Sequence, residues 1–132
     1  MHHHRVRPAS AAVRACAVLL GLATLPVAGV LRADTPGASV FASECSVCHS
    51  VAQGKTKGGP SLFAVVGRPA GSVAGYNYSD AMKTSGLTWT EESLQRYLEN
   101  PAATVHGVRM PYPGLKDAAK RSALIAYLAT VR

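Results

Sequence analysis

The sequence contains little that predicts β-structure. Its 132 residues show no β-hairpin signal, no internal repeat and no low-complexity tract, and residues 61–89 are broken by four glycines without any alternation of polar and apolar side chains. Half-buried strands normally show such alternation. A chain of this length is enough for one domain. We therefore expect one domain built from α-helices and loops.

Basic residues are in excess, but the sequence has no concentrated basic run. The chain carries 14 Lys and Arg against 7 Asp and Glu, a formal net charge of +7. Four of the arginines and none of the acids lie in residues 1–33, so residues 34–132 hold ten basic and seven acidic side chains, a net charge of +3. A nucleic-acid-binding protein concentrates its basic groups on one face or run. The dispersed charges therefore argue against a nucleic acid as partner.

Long hydrophobic runs are also missing, with one exception near the start. Ala15–Leu31 is uncharged over 17 residues and follows three arginines. A positive start, an apolar middle and a small-residue exit are the layout of a secretory signal. The run is shorter than the roughly 20 residues of a membrane-spanning helix, and Pro26 weakens it further. We expect residues 1–33 to be a cleaved signal, with retention as a membrane anchor as the alternative.

This interpretation sets the domain boundary and the compartment. Residues 34–132 would form the mature domain, released into the periplasm or, if the signal is kept, tethered to the membrane. The mature domain would then contain only two cysteines, Cys45 and Cys48, because Cys16 is removed with the signal. Cysteines of exported proteins usually pair as disulfides, but here a histidine directly follows the second cysteine, which is also the pattern of other kinds of site.

The stretch Cys45-Ser-Val-Cys48-His49 fits three kinds of site. Thiol–disulfide exchange uses Cys-x-x-Cys, but normally in a βαβ context that this chain lacks. A structural zinc site needs four ligands, and His106 is the only other imidazole in residues 34–132. Cys-x-x-Cys-His is also the attachment pattern of c-type haem, in which both sulfurs bond to vinyl groups and the imidazole lies below the iron. The motif is short, so the rest of the chain must support this choice.

The first of three predicted helices leads into this motif. Thr35-Pro36 combines an N-cap residue with a proline at the first helical position. From there Phe41, Cys45 and Cys48 fall at i, i+4 and i+7, which places an aromatic ring and both sulfurs on one stripe. We therefore expect the two thiols to face the same way. The glycines and the proline of residues 53–60 predict a loop.

Two further helices are predicted in the second half of the chain. One begins at Thr90 and has two glutamates in its first turn, and the last runs from about Asp117. A short helix is expected around Ser79–Ser85, whereas two prolines and two glycines prevent residues 102–115 from forming one continuous helix. The buried stripe of the last helix is expected to comprise Leu124, Ile125, Leu128 and Val131.

A domain of three helices and long loops has few residues to fill its middle. A large apolar cofactor would fill it, and if that cofactor is haem, a second axial ligand is needed. Met110 is the candidate, because it is a thioether on a proline-stiffened loop some sixty residues after His49. Thioether ligation raises the reduction potential of haem iron. We interpret Met82, at a core-facing position of the short helix, as a packing residue.

Further motifs follow in order along the chain. Gly37 and Phe41 precede CSVCH, and the segments GGPSLFAVVGRPAG, GYNYSDAMKTSGLTW and YLENP, then Met110 and LIAYL, come after it. In order and spacing, residues 36–132 resemble a class I cytochrome c of the mitochondrial and short bacterial type, which is more specific than Cys-x-x-Cys-His alone. The resemblance implies an all-α class I cytochrome c fold, with three main helices, short helices and long loops wrapped around one covalent haem c.

The resemblance also implies roles for particular residues. Cys45 and Cys48 would form the thioethers, and His49 and Met110 would be the axial iron ligands. The other residues implied to hold the haem are Pro60, Arg68, Tyr78, Trp89 and Tyr97.

These five residues would act in three ways. The Pro60 carbonyl would bind the distal ring nitrogen of His49 and fix the orientation of the ring. Tyr78 and Trp89 would donate hydrogen bonds to a haem propionate, and Arg68 would balance its charge. Tyr97 would lie beside the sulfur of the methionine ligand.

The resemblance has consequences outside the haem site as well. Gly37 and Phe41 would cross the last helix near Leu124 and Tyr127, where a glycine allows a close approach. His106, Val108, Ala102, Ala103 and Arg109 depart from residues that relatives commonly carry. Some of these departures replace lysines, so the basic ring around the haem edge is reduced to Lys55, Lys57, Arg109, Lys116 and Lys120.

Two filled axial positions would leave no open iron site for a small-molecule substrate. The sequence therefore favours an electron carrier, a monomer that passes single electrons between redox proteins such as a respiratory complex, an oxidase, a reductase or a dehydrogenase. The alternatives are a haem peroxidase, which would need Met110 to leave the iron, and a dedicated cytochrome subunit of a dehydrogenase, which would need a permanent partner.

Overall fold

The computed structural model describes residues 35–132, and the predicted signal segment with its anchor alternative lies outside the described residues. Within this range five helices follow one another, separated by loops except where Asn100 alone divides the third from the fourth: α1 (Pro36–Glu44), α2 (Asp80–Lys83), α3 (Glu91–Glu99), α4 (Pro101–Thr104) and α5 (Ala118–Thr130). Over this range the only β-feature is an isolated bridge between Pro69 and Thr88. The prediction of an all-α fold with three main helices is confirmed. Among the described helices, none has the length and apolar character needed to cross a membrane.

Each helix begins where a polar side chain caps it. The capping oxygens accept hydrogen bonds from backbone N–H groups of the first turn, which would otherwise lack partners. Proline follows the cap in α1 and α4, where its missing N–H costs nothing. The predicted starts at Thr35, Thr90 and Asp117 are confirmed. The N-caps are Thr35, Ser79, Thr90, Asn100 and Asp117.

The end of α1 differs from the sequence prediction. One helix was expected to carry Phe41 and both cysteines, but α1 ends at Glu44. The carbonyl of Phe41 accepts from the N–H groups of both Cys45 and Ser46, at 2.9 Å each, so the chain leaves the helical path there. One further turn follows, closed by a 2.8 Å bond from His49 N–H to Cys45 O. Cys45 is consequently half-buried while Cys48 is exposed.

Helices α1 and α5 cross at close range. A Cβ at Gly37 would lie 2.5 Å from Cβ of Tyr127 and still closer to the carbonyl oxygen of Ala123. The rings of Phe41 and Tyr127 have their centroids 5.9 Å apart, and Leu124 is 1% exposed. The predicted crossing of the first and last helices is confirmed, and it depends on the missing side chain of Gly37 because only bare backbone fits at this distance.

Helix α5 also holds the end of the loop that carries Met110. Arg121 is buried and donates to the carbonyls of Leu115 and Lys116, at 2.7 and 2.8 Å, and to Gln95 of α3 at 3.1 Å. A buried guanidinium needs such partners. The predicted stripe of α5 is buried at Leu124, Ile125 and Leu128, but Val131 is the half-buried C-cap residue. The prediction missed α4, a single turn, and the burial of Arg121.

Candidate functional site

The turn after α1 places two sulfurs and an imidazole next to one another. Cys45 and Cys48 are free thiols, and His49 follows them on the same hydrogen-bonded turn. Burial raises the pKa of Cys45 to about 11, and the nearby charge of Glu44 adds to this effect. A thiol with so high a pKa is a poor nucleophile at neutral pH, so Cys45 is unsuited to begin thiol–disulfide exchange. Within residues 35–132, no group of three or more Cys, His, Asp or Glu side chains could hold a metal.

The His49 ring is oriented by its neighbours. Its Nδ1 is hydrogen-bonded to the carbonyl oxygen of Pro60 at 2.8 Å. A Cβ at Gly59 would lie 2.7 Å from Nδ1 of His49 and still closer to Cε1, so the ring packs directly on the Gly59 backbone. Burial lowers the pKa of His49, and the Pro60 bond opposes this effect. The imidazole is therefore held with one nitrogen engaged, which leaves Nε2 available as a ligand.

The second candidate ligand is held by an aromatic pair. The hydroxyl of Tyr97, on α3, donates to the sulfur of Met110 at 3.8 Å. The rings of Tyr97 and Trp89 have their centroids 4.7 Å apart, and both side chains are buried. Burial raises the pKa of Tyr97 to about 12, so this hydroxyl keeps its proton at neutral pH. The sulfur of Met110 therefore lies against a proton donor and a buried aromatic surface.

Tyr78 and Arg68 are the remaining predicted positions, and Tyr78 packs against a second tyrosine, Tyr76, that was not predicted. The rings of Tyr76 and Tyr78 meet edge-on at 4.6 Å, and the Tyr76 hydroxyl donates to Gly58 O at 3.1 Å. Arg68 is half-buried and donates to the carbonyls of Phe63 and Ser61, at 2.7 and 2.9 Å. Burial raises the pKa of Tyr78, and the positive charge of Arg68 opposes that effect.

This donor set fits a haem. An imidazole with Nε2 available and a thioether are the axial ligands that stabilise reduced haem iron, and two neighbouring thiols provide the attachment points. In the described part of the chain, Arg68 has no acidic partner, although burial already lowers its pKa. A half-buried cation of this kind suits a carboxylate supplied by the cofactor.

Sequence reasoning missed several contacts near these residues. The prediction did not include the packing of Gly59 on His49, although the GGP motif could have indicated it. It also missed the hydrogen bonds from Arg109 to Asn77 and from Tyr112 to Glu44. No local pattern signals the last two, because their partners lie 32 and 68 residues apart in the sequence.

Comparisons with known proteins show the family of this chain. Residues 35–132 match the profile of the family described as "Cytochrome c". The chain is similar to "Cytochrome c2" of Rhodomicrobium vannielii, with 47% identity over 115 residues that cover 85% of this chain and 91% of the relative. It is also similar to "Cytochrome c2" of Rhodopila globiformis, with 46% identity over 96 residues that cover 73% of this chain and 91% of the relative.

A solved structure gives the same result. The structure titled "cytochrome cH from Methylobacterium extorquens" matches with a TM-score of 0.68 and 43% identity, over 72% of this chain and 95% of that one. The chain belongs to the cytochrome c family. Within that family it is a class I c-type cytochrome, a haem protein that carries electrons and is not an enzyme.

Proposed function

We propose that this protein is a periplasmic monohaem cytochrome c that passes single electrons between redox proteins through a haem ligated by His49 and Met110. The geometry of His49 carries the proposal. Its ring follows two free thiols on one turn and is fixed through Nδ1, so Nε2 is the nitrogen that would bind iron. Met110, held by the Tyr97 hydroxyl, is the proposed second ligand.

Each residue of the site would have a defined task. Cys45 and Cys48 would hold the haem by two thioethers, while Pro60 keeps the His49 ring in one orientation. When bound, the haem supplies an iron that changes between two oxidation states. With both axial positions filled by side chains, the protein would keep the same ligands in both states and offer no site to a small-molecule substrate.

A haem propionate is proposed to be held by three residues, Arg68, Tyr78 and Trp89. Arg68 uses two of its five N–H donors on backbone carbonyls and retains donors for a carboxylate. Trp89 is buried at 8% exposure and its indole N–H is a donor without acceptor capacity. A buried carboxylate would be costly without such partners.

The predicted signal supports the proposed location. The match to the Rhodomicrobium vannielii cytochrome c2 covers 85% of this chain, a larger share than residues 35–132 represent, so part of residues 1–34 has a counterpart in that protein. We propose export through residues 1–33 and release of residues 34–132. Expression in a bacterium that matures c-type haem, followed by fractionation and intact-mass measurement, tests this. One haem on a chain that begins near residue 34 in the periplasmic fraction supports the proposal, and full-length protein in the membrane fraction would show retention as an anchor.

The absorption spectrum of the oxidised protein tests the ligand set. Iron–thioether bonding gives a weak long-wavelength band, which should be present in the wild type and absent in Met110→Leu. Met82→Leu is the matched control, because Met82 is a buried methionine of α2 that we interpret as packing. Loss of the band in Met82→Leu but not in Met110→Leu would show that Met82, and not Met110, is the iron ligand.

The mode of partner association needs a separate test. A mobile carrier would purify as a monomer and exchange electrons with more than one redox protein. Copurification in a fixed ratio with a dehydrogenase would instead support the dedicated-subunit alternative. Size-exclusion chromatography of the haem-containing protein from its native cells distinguishes the two outcomes.

A further inference from the structure

The loop that carries Met110 is bonded to the rest of the protein on both sides of the methionine. On one side, Nη2 of Arg109 donates to the backbone oxygen of Asn77 at 3.0 Å. On the other side, the hydroxyl of Tyr112 donates to Oε2 of Glu44 at 2.9 Å. Within two residues of Met110, the loop is therefore anchored to two separate segments of the chain.

The bond to Glu44 joins the two parts of the molecule that hold the cofactor. Glu44 is the last residue of α1 and directly precedes Cys45, whereas Tyr112 follows Met110 by two residues. The Tyr112 ring is half-buried and packs against the hydrophobic core, which fixes its direction. The Glu44 carboxylate forms no salt bridge within residues 35–132, so the tyrosine hydroxyl is its partner there. Hydrogen bonds to an ionised acceptor are stronger than those between neutral groups.

We propose that the Tyr112–Glu44 hydrogen bond is a latch that keeps the methionine loop closed, so that external ligands reach the ferric iron only after the latch opens. This inference rests on the proposed ligation by Met110. An external ligand must displace the thioether, which requires the loop to move away from the iron. The ligand therefore binds only the open fraction of the molecules, and its apparent dissociation constant is the intrinsic one divided by that fraction.

Removing the latch should increase the open fraction. A single hydrogen bond to a charged but exposed acceptor such as Glu44 changes such an equilibrium by about three- to tenfold. The bond from Arg109 to Asn77 remains in place, so the loop should stay closed in most molecules and the fold should be retained. The predicted phenotype is therefore a normal spectrum with tighter binding of external ligands.

Titration of the oxidised holoprotein with imidazole tests the latch. Imidazole is chosen as the probe because its neutral form is not attracted or repelled when the charge of Glu44 is removed. Tyr112→Phe and Glu44→Ala should each lower the apparent dissociation constant of imidazole by about three- to tenfold. Glu44→Gln keeps an acceptor oxygen and should lie between Glu44→Ala and the wild type. The double variant Tyr112→Phe/Glu44→Ala should bind no more tightly than either single variant, because both remove the same bond.

The control variant is Tyr127→Phe, which removes a hydroxyl at the contact of α1 and α5, away from the methionine loop. It should leave the affinity for imidazole unchanged. Circular dichroism of each variant confirms the fold. Unchanged imidazole affinity in Tyr112→Phe and Glu44→Ala, or additive effects in the double variant, would overturn the latch. Absence of the thioether band in the wild type would instead overturn the proposed ligation, so the two failures are distinguishable.

Discussion

At the scale of single residues, the site depends on a glycine that touches the candidate ligand. A side chain at Gly59 would overlap the His49 ring. Gly59→Ala should therefore rotate the imidazole away from Pro60 and lower the free energy of unfolding by about 1–3 kcal/mol, with a changed Soret spectrum. Gly58→Ala is the matched control, because a Cβ there comes no closer than 4.0 Å to Cys48. Denaturant titration and absorption spectra compare the two, and equal effects would contradict this account.

The Tyr97 hydroxyl gives the protein a pH dependence in the alkaline range. Burial raises its pKa from 10.0 to about 12. The unfolded chain loses this proton first, so the contribution to stability is fully present below pH 10 and disappears as the pH rises through 12. Two pKa units correspond to about 2–3 kcal/mol. Tyr97→Phe should therefore show a smaller loss of stability between pH 10 and 12 in denaturant titrations.

Two other tyrosines should account for the loss of stability that remains in Tyr97→Phe at alkaline pH. Burial also raises the pKa of Tyr78 and of Tyr112, so Tyr97→Phe should retain part of the alkaline decline. An identical pH profile for the wild type and the variant between pH 10 and 12 would show that Tyr97 is not the group responsible.

Individual contacts were predictable where the family resemblance names both partners. The resemblance therefore implied the bond of His49 to Pro60 and the place of Tyr97 beside Met110, and the structure contains both contacts. The bond of Tyr112 to Glu44 could not be predicted, because the last residue of α1 and a loop residue 68 positions further along meet only after the chain has folded.

At the scale of helices, the fold depends on the contact between α1 and α5. Gly37→Ala would place a methyl group against the backbone of Ala123, which cannot rotate away as a side chain could. The helices would have to separate, at a cost of about 1–3 kcal/mol or more. Ser39→Ala, at an exposed position of the same helix, should change the stability by no more than about 0.5 kcal/mol. Thermal unfolding measures both, and a stable Gly37→Ala variant would contradict this packing.

Helix starts were easier to predict than helix ends. Thr35, Thr90 and Asp117 cap their helices as expected, because an N-cap depends on one side chain and the next few N–H groups. The end of α1 depends on the carbonyl of Phe41, which two N–H groups share. Nothing in the residue types predicts that two N–H groups donate to one carbonyl, so the end of α1 could not be predicted. The single turn of α4 is likewise too short for a periodic pattern.

At the scale of the whole molecule, the positive charge available for docking is small. Five basic residues are expected around the haem edge, and residues 34–132 have a net charge of only +3. Three of the five donate to backbone carbonyls, which fixes their positions and leaves their charges unchanged, namely Lys57 to Ser46, Arg109 to Asn77 and Lys116 to Glu99. Glu44 adds a negative charge beside Cys45. Electrostatic steering depends on such charges and is screened by salt. Electron transfer to an acidic protein partner should therefore depend less steeply on ionic strength than it does for a mitochondrial cytochrome c.

Stopped-flow measurement of the bimolecular rate over a range of ionic strength checks this expectation. Val47 offers a matched pair of variants, because it lies between the two cysteines and is 84% exposed. Val47→Lys should steepen the salt dependence, and Val47→Gln should not. A steep dependence already present in the wild type would contradict the reduced basic ring.

The helices of residues 35–132 differ in how many other helices they pack against. α1 packs on α5, and α5 on α3, whereas α2 is a single turn without a helical neighbour anywhere in residues 35–132. Its backbone amides are therefore expected to exchange with solvent deuterium early, and those of α5 late, because local opening begins where few buried contacts must be broken. We therefore expect local opening to occur first in the segment around α2, while α1 and α5 remain packed against each other.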